Sequence, residues 1–395
     1  MNKKLAIPIL LGIALLLTSV AITAAQSQLQ SSQLTNIDWR KVNQDGFGNA
    51  NNGSIWALEE FDGYLYAGTY NSAEGAQVWR SDDDFAWSVV ITGGFTNSLN
   101  QGIDDFIELN GYLYASTLVP SDSIGAEMWR SADGLEWESV VSAGFNDVNN
   151  IEIFQLEVFD TKLYAGTANP VDGAEVWSSP NGITWMQSNL NGFGNVDNQG
   201  IGAFTVFNEE LYAATLNHLG GAEIWRTDGI TWTAVITGGF GITGNLRITS
   251  LTVFNDQIYA LTRNLVSGSE LWRSNDGIEW ENVFTGGLGN PQNCRGYGLI
   301  TFNQQLYYFT GNWDTGGEVW RSTDGSSWEQ IGFGGWGNPD NVGPLFDNSI
   351  EIFNERLFAG TAKVVTPSTG GEIWMYNPLR AYMPLIIHAT EYYAP

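Results

Sequence analysis

Only two histidines, His218 and His388, and one cysteine, Cys294, are present in this 395-residue chain. A zinc site with several His ligands or a Ser/His/Asp triad therefore has little to draw on. No P-loop is present, and no dinucleotide-binding glycine pattern precedes a helix. Arginines, aromatics and acids that interrupt a repeat remain. Aligning the repeats on Phe61, Leu109, Phe159, Phe207, Phe254, Phe302 and Phe353 and stepping back seven gives Ser54, Gly102, Glu152, Gly200, Arg247, Arg295 and Phe346. Two neighbouring units thus carry arginine at one equivalent position. A nearby loop contributes His218, Arg263, Asn264, Trp313 and Asp314, and Tyr297 follows Arg295 closely. Guanidiniums fork onto carboxylates and an indole face stacks on a sugar ring, so this cluster points to an anionic or sugar ligand. The bland account is free loop variation with solvated side chains.

The elements that position these residues are set by a tryptophan at Trp39, Trp87, Trp137, Trp185, Trp232, Trp280 and Trp328, in steps of 48, 50, 48, 47, 48 and 48 residues. A second series, Leu-Tyr-Ala-Gly-Thr and its variants, starts at Leu65, Leu113, Leu163, Leu211, Ile258, Leu306 and Leu357. A third ends at Trp79, Trp129, Trp177, Trp225, Trp272, Trp320 and Trp374. The first series begins upstream of the others and has no member after Trp374, so the chain starts partway through a repeat and completes it at the other end. Within one repeat the pattern predicts four strands, at 203–207, 210–215, 222–226 and 232–236, separated by Asn208-Glu209, Gly220-Gly221 and Asp228-Gly229. The expected fold is all-β: a seven-bladed β-propeller of four-stranded antiparallel blades, closed by an N-terminal strand at 37–43 that completes the C-terminal blade. The expected organisation is a signal peptide at 1–25, a linker at 26–36, the propeller at 37–377 and a tail at 378–395.

Repeated polar residues read as structural. Glu127, Glu175, Glu223, Glu270, Glu318 and Glu372, with Gln77 in the remaining unit, sit two residues before the third-series tryptophan. Arg80, Arg130, Arg226, Arg273 and Arg321 follow that tryptophan directly. A catalytic group is needed once, whereas these recur in almost every unit. Stretches such as Gly192 to Asn198 and Gly334 to Asn341 are rich in carboxamides; calcium is the one metal they could ligate, but carboxylates are few and Asx-turns explain them better. No cofactor is expected.

The turn before each first-series tryptophan reads Ser131-Ala-Asp133-Gly134-Leu-Glu-Trp137, Ser274-Asn-Asp276-Gly277-Ile-Glu-Trp280 and Ser322-Thr-Asp324-Gly325-Ser-Ser-Trp328, with weaker copies elsewhere. It resembles the Asp-box, Ser-x-Asp-x-Gly-x-Thr-Trp, of the BNR-like, sialidase-type β-propeller superfamily, shortened by one residue. The resemblance implies a folding element at the blade periphery, away from any catalytic centre. It speaks to fold and leaves activity open.

The formal charge of −27 leaves no basic face for nucleic acid. Lys3 and Lys4, the apolar run from Leu5 to Ile22, and the small residues Thr23 to Ala25 read as a cleaved export signal, with an uncleaved anchor as the alternative. The expected location is secreted or extracytoplasmic, cell-surface association included, with no membrane span in the mature chain. The tail, including Tyr382 to Ile387, is too short to span a bilayer.

The reading is a non-catalytic binding or scaffold propeller whose partner is a glycan, an anionic small molecule or a cell-surface protein. Its candidate site is Arg247, Arg263, Arg295, His218, Trp313, Asp314, Tyr297 and Glu152. The alternative is a sialidase-like glycoside hydrolase. There Arg247, Arg263 and Arg295 would grip a carboxylate, Tyr297 would be the nucleophile and Asp314 the acid. Against it, the Arg-Ile-Pro element of such enzymes is missing, the nearest string being Arg247-Ile-Thr.

Overall fold

The computed structural model describes residues 38–120, 124–363 and 368–377. The segments read as an export signal, a linker and a tail lie outside the described residues. Strands alternate with tight turns, and the only helical pieces among the described residues are single turns of three or four residues. The strands pair antiparallel in consecutive fours, spanning 54–91, 102–141, 152–187, 198–236, 247–284 and 295–332. In the last group Ile350–Phe353, Arg356–Gly360 and Ile373–Tyr376 are joined by Trp39–Lys41, with Trp39 opposite Tyr376 and Lys41 opposite Trp374. We call these groups units and number them in chain order.

The fourth unit comprises Asn198–Phe207, Glu210–Asn217, Ile224–Thr227 and Trp232–Ile236. Its inner strand begins five residues earlier than the alternation predicts, because the pairing passes through irregularities after Asn198 and Ile201. The hairpin between the first two strands holds Asn208 and Glu209 at φ 50° and 61°. Both central residues must be left-handed for the turn twist to match the strands, and Asn tolerates that region best.

Cores form between neighbouring units. Phe61, Tyr66 and Val78 of the first unit pack with Ile103, Phe106 and Leu113 of the second. Ile55, Leu58 and Leu65 of the first unit pack in the same way with Phe353, Phe358 and Ile373 of the last. The backbone also joins them: Lys363 N–H donates to the Gly53 carbonyl at 3.3 Å and Ile55 N–H to Thr361 at 3.0 Å.

The repeated polar residues are consumed by this packing. Asn198 is fully buried; its amide donates to the Gly192 carbonyl at 2.9 Å and to Glu223 at 2.8 Å, and Glu223 also accepts the Trp225 indole N–H at 2.8 Å. Phe193 stacks on Trp225 at 4.7 Å and meets Trp232 edge-on at 5.3 Å. One loop thereby ties two units together. Asn195 accepts the Asp197 N–H, an Asx-turn. Four of the five repeated arginines pair with outer-strand or hairpin acids, as Arg273 with Glu281 at 2.6 Å and Arg226 with Glu210 at 2.6 Å, while Arg80 lies over the Tyr64 ring at 4.4 Å. In the Asp-box-like turn, Asp276 accepts the Ile278 and Glu279 N–H groups, each at 2.9 Å, and the Ser274 hydroxyl at 3.0 Å. Gly277 there has φ +74°, and a Cβ would lie 2.0 Å from the Tyr212 hydroxyl of the preceding unit.

Candidate functional site

Adjacent units are stitched at one end by residue pairs. Tyr70 faces Gly102, Leu118 faces Glu152, Ala168 faces Gly200, Leu216 faces Arg247, and Arg263 faces Arg295. Arg247 also pairs with Arg263 inside the fifth unit, and Arg295 with Gly311 inside the sixth. Directly paired residues of antiparallel strands share a face. The sequence therefore places three guanidiniums side by side on one row.

A bulge then re-aims a second set of side chains. Each of the first six inner strands loses register two residues after its row position: between Ile55 and Ala57, Ile103 and Phe106, Ile153 and Gln155, Ile201 and Ala203, Ile248 and Ser250, and Gly296 and Gly298. The residues left out of the ladder are Trp56, Asp104 or Asp105, Phe154, Gly202, Thr249 and Tyr297. A bulged residue is free to point away from the sheet. Trp56, Phe154, Thr249 and Tyr297 line one pocket of about 370 Å³ together with Leu118, Glu152, Arg247, Arg263, Arg295, Trp313, Leu345 and Phe346. That volume lies within the roughly 300–1,000 Å³ of ligand pockets. Gly202 makes room for Arg247, since a Cβ there would lie 3.1 Å from its Nε and 2.3 Å from the Ile248 carbonyl.

Six of the eight candidates, Arg247, Arg263, Arg295, Tyr297, Trp313 and Glu152, line this pocket. His218 and Asp314 do not; both are exposed on the adjoining loops, where Asp314 N–H donates to Asn312 at 3.0 Å. Asn264, read as a variable loop residue, is a buried repeat position whose amide donates to Asn245 at 3.0 Å. Phe346 falls off the row because a short helical turn, Asp347–Ser349, replaces the start of its strand. Its ring still reaches the pocket and meets Phe154 at 4.8 Å and Trp56 at 5.3 Å, both edge-on.

None of the three arginines makes an ion pair within 4.0 Å among the described residues. Arg247 lies 4.0 Å from the Phe154 ring centre and Arg295 4.0 Å from that of Trp313. The buried Nε atoms of Arg247 and Arg263 have no hydrogen-bond partner among the described residues. Desolvation pulls the Arg247 guanidinium down to about 10, opposed by Glu152 and Asp347, and lowers Arg263, helped by Arg295. Burial and these two arginines also lower His218. Burial lifts the Tyr297 phenol, against the pull of Arg295, Arg263 and Arg247.

The acids behind the row were not read from the sequence. Asp104 is 1% exposed, and neither carboxylate oxygen has a partner among the described residues. Burial, with Glu152 and Asp105 nearby, pushes its carboxyl well above the usual range. The signal was present in Ile103-Asp104-Asp105-Phe106, the one inner strand with paired acids at the bulge. Asp347, next to Gln155 at 3.2 Å, is raised by burial to about 6, and Glu152 to about 7 against the pull of Arg247. Among the described residues no cluster of three or more His, Cys, Asp or Glu side chains is placed to hold a metal ion. The arrangement can clamp an anion between guanidiniums, offer aromatic faces to a ring, and supply one carboxyl and one phenol.

No family model matches the chain, and no curated protein does. Solved structures do. The WD40 β-propeller domain of Doa1 aligns with a TM-score of 0.55 at 11% identity, over 87% of this chain and 99% of that one. The β-propeller domain of the Trilobed protease from Pyrococcus furiosus gives 0.50 at 9%, over 82% and 95%. An ulvan lyase of polysaccharide lyase family PL25, bound to -[GlcA(1-4)Rha3S]-, gives 0.53 at 15%, over 85% and 94%. At these identities the likeness is one of architecture: the chain is all-β, its strands are antiparallel, and it folds as β-propellers do.

Proposed function

We propose that the chain is a seven-bladed propeller, closed through Trp39–Lys41, that captures an anionic ligand, with acidic sugars the favoured class, in the pocket at the row end of its inner strands. One observation carries this: Arg247, Arg263 and Arg295 sit on directly paired positions, face one pocket, and have no acidic partner within ion-pair distance among the described residues. Like charges on paired positions repel, and an anion held between them relieves that repulsion while gaining charge-assisted hydrogen bonds. Half-exposed Trp313 and buried Trp56 supply faces for a ring. The ulvan lyase shares the architecture and holds a glucuronate-containing saccharide, which fits the same ligand class. No described helix is long and apolar enough to cross a membrane. With the export signal read in residues 1–25, the ligand would be extracytoplasmic.

The test is calorimetric titration with glucuronate and N-acetylneuraminate, glucose serving as the neutral control. Replacing Arg247 and Arg295 together by Met should abolish binding, each lost contact costing on the order of 1.5–3 kcal/mol, without loss of fold. Unchanged affinity in the double variant would remove the pocket from consideration.

The sialidase-type hydrolase is the second reading, favoured because Tyr297 and Glu152 line the same pocket as the three arginines. Asp314 lies outside that lining, so Glu152 would have to serve as the acid. Turnover of a fluorogenic sialoside that disappears in Tyr297→Phe would establish catalysis; its absence in the wild-type protein leaves the binding reading.

A further inference from the structure

The anion pocket carries its own acid, and the role of that acid rests on the anion-binding reading of the pocket. Glu152 opens the inner strand of the third unit, where the row elsewhere holds Ser54, Gly102, Gly200, Arg247 and Arg295. Its paired neighbours, Leu118 and Ala168, bring no charge. The charged and titratable groups around it come from other strands. Arg247, Arg263, Arg295 and Tyr297 share its pocket. Asp104 lies behind it on the second unit's inner strand with both oxygens unpartnered among the described residues, and Asp347 faces Arg247 from the last unit. Glu152 itself has no ion pair within 4.0 Å among the described residues.

Three guanidiniums against Glu152, Asp104 and Asp347 cancel if every acid is ionised, and an arriving anion then meets no net attraction. It is also brought beside the Glu152 carboxylate in a partly desolvated pocket, where two like charges disfavour each other. A proton taken from solvent onto Glu152 removes both obstacles. We propose that Glu152 is the specificity-determining residue of this pocket: it takes up a proton as a carboxylate ligand settles among the arginines and then donates a hydrogen bond to it. Burial has already moved Glu152 to about 7 in the empty pocket, so the uptake falls in the neutral range. A neutral sugar brings no charge and triggers no uptake.

The experiment titrates glucuronate at pH 7 in bis-Tris and in Tris, two cationic buffers that do not compete for an anion site and whose ionisation enthalpies differ, so the heat difference counts protons. Uptake of about half a proton per glucuronate is expected, with affinity falling by up to about tenfold per pH unit above neutrality. Glu152→Gln, a permanently neutral analogue, should bind at pH 8 as tightly as the wild type at pH 6, with no uptake; Glu152→Ala, which lacks both the proton site and the donor, supplies the no-uptake comparison alone should the amide fail to fold. Wild-type binding without uptake overturns the proposal and leaves the anion pocket standing. Uptake that persists in the variants assigns the proton to His218 or Asp347 and also overturns it. No glucuronate binding at any pH overturns the pocket reading and this inference together.

Discussion

Asp276 shows how a recurring acid differs from a site acid. Its carboxylate is saturated by two turn amides and a hydroxyl, and these bonds hold it below the ordinary aspartate range. Asp276→Ala should lower stability, because two turn amides and the Ser274 hydroxyl lose their acceptor. Glucuronate affinity of the folded protein should not change, because the turn joins third and fourth strands at the end remote from the row. Chemical denaturation and calorimetry on the same preparation check this; weaker binding at unchanged stability would place the turn in the site. The converse residues, Arg247, Arg263 and Arg295, stand out in the sequence because they break the repeat. Trp56 and Phe154 did not, although they line the same pocket. They occupy bulges, and a bulge changes side-chain phase without leaving a mark in an alternating pattern.

At the scale of elements, the tryptophan period led to the expectation that 37–43 supplies the outermost strand of the last four-strand unit, and Trp39–Lys41 does pair there, with Trp39 opposite Tyr376. Element ends were less legible because they depend on backbone pairing that carries on through irregularities, as in the early start of the strand at Asn198, which pairs with Asn217. Turn chemistry carries a further consequence. In the third unit the hairpin holds Asp160 and Thr161 at φ 47° and 62°, and Thr161 is exposed. A β-branched residue is poorly suited to the left-handed region, where a non-glycine residue costs roughly 1–2 kcal/mol. First-unit Gly63 occupies the equivalent position at φ 77°, with nothing within 4 Å of where a Cβ would sit. Thr161→Gly should therefore stabilise the protein by about 1 kcal/mol, read as a higher denaturation midpoint at unchanged slope. A lower midpoint would mean that the Thr161 hydroxyl, which donates to the Asp160 carbonyl at 2.6 Å, outweighs the strain.

The molecule as a whole is strongly acidic, and several acids lie buried or half-buried on or beside its inner strands. Burial lifts Glu152, Glu157 and Glu351 to about 7 and Asp347 to about 6, and raises Glu59, Asp104 and Asp105 as well. In the unfolded chain these groups ionise near their ordinary values, so between about 4.5 and 7 the folded state binds more protons. Stability must then fall as pH rises through that window. Glu372 works the other way: Lys363 at 2.8 Å and Asn341 hold it low, and its contribution is lost only as pH falls below the ordinary glutamate range. Melting temperature is expected to be highest near pH 5 and to decline steadily toward pH 8. The net charge of −27 pushes the same way through self-repulsion, but salt distinguishes the two causes. Surface repulsion is screened over about 10 Å at 0.1 M salt, whereas buried carboxylates are screened far less. Calorimetric scans from pH 5 to 8.5 at low and high salt should therefore keep most of the decline in high salt, and Glu157→Gln with Glu351→Gln should flatten it. A melting temperature that rises toward pH 8, or a decline abolished by salt alone, would show that these inner-strand acids are ionised and solvated in the folded protein.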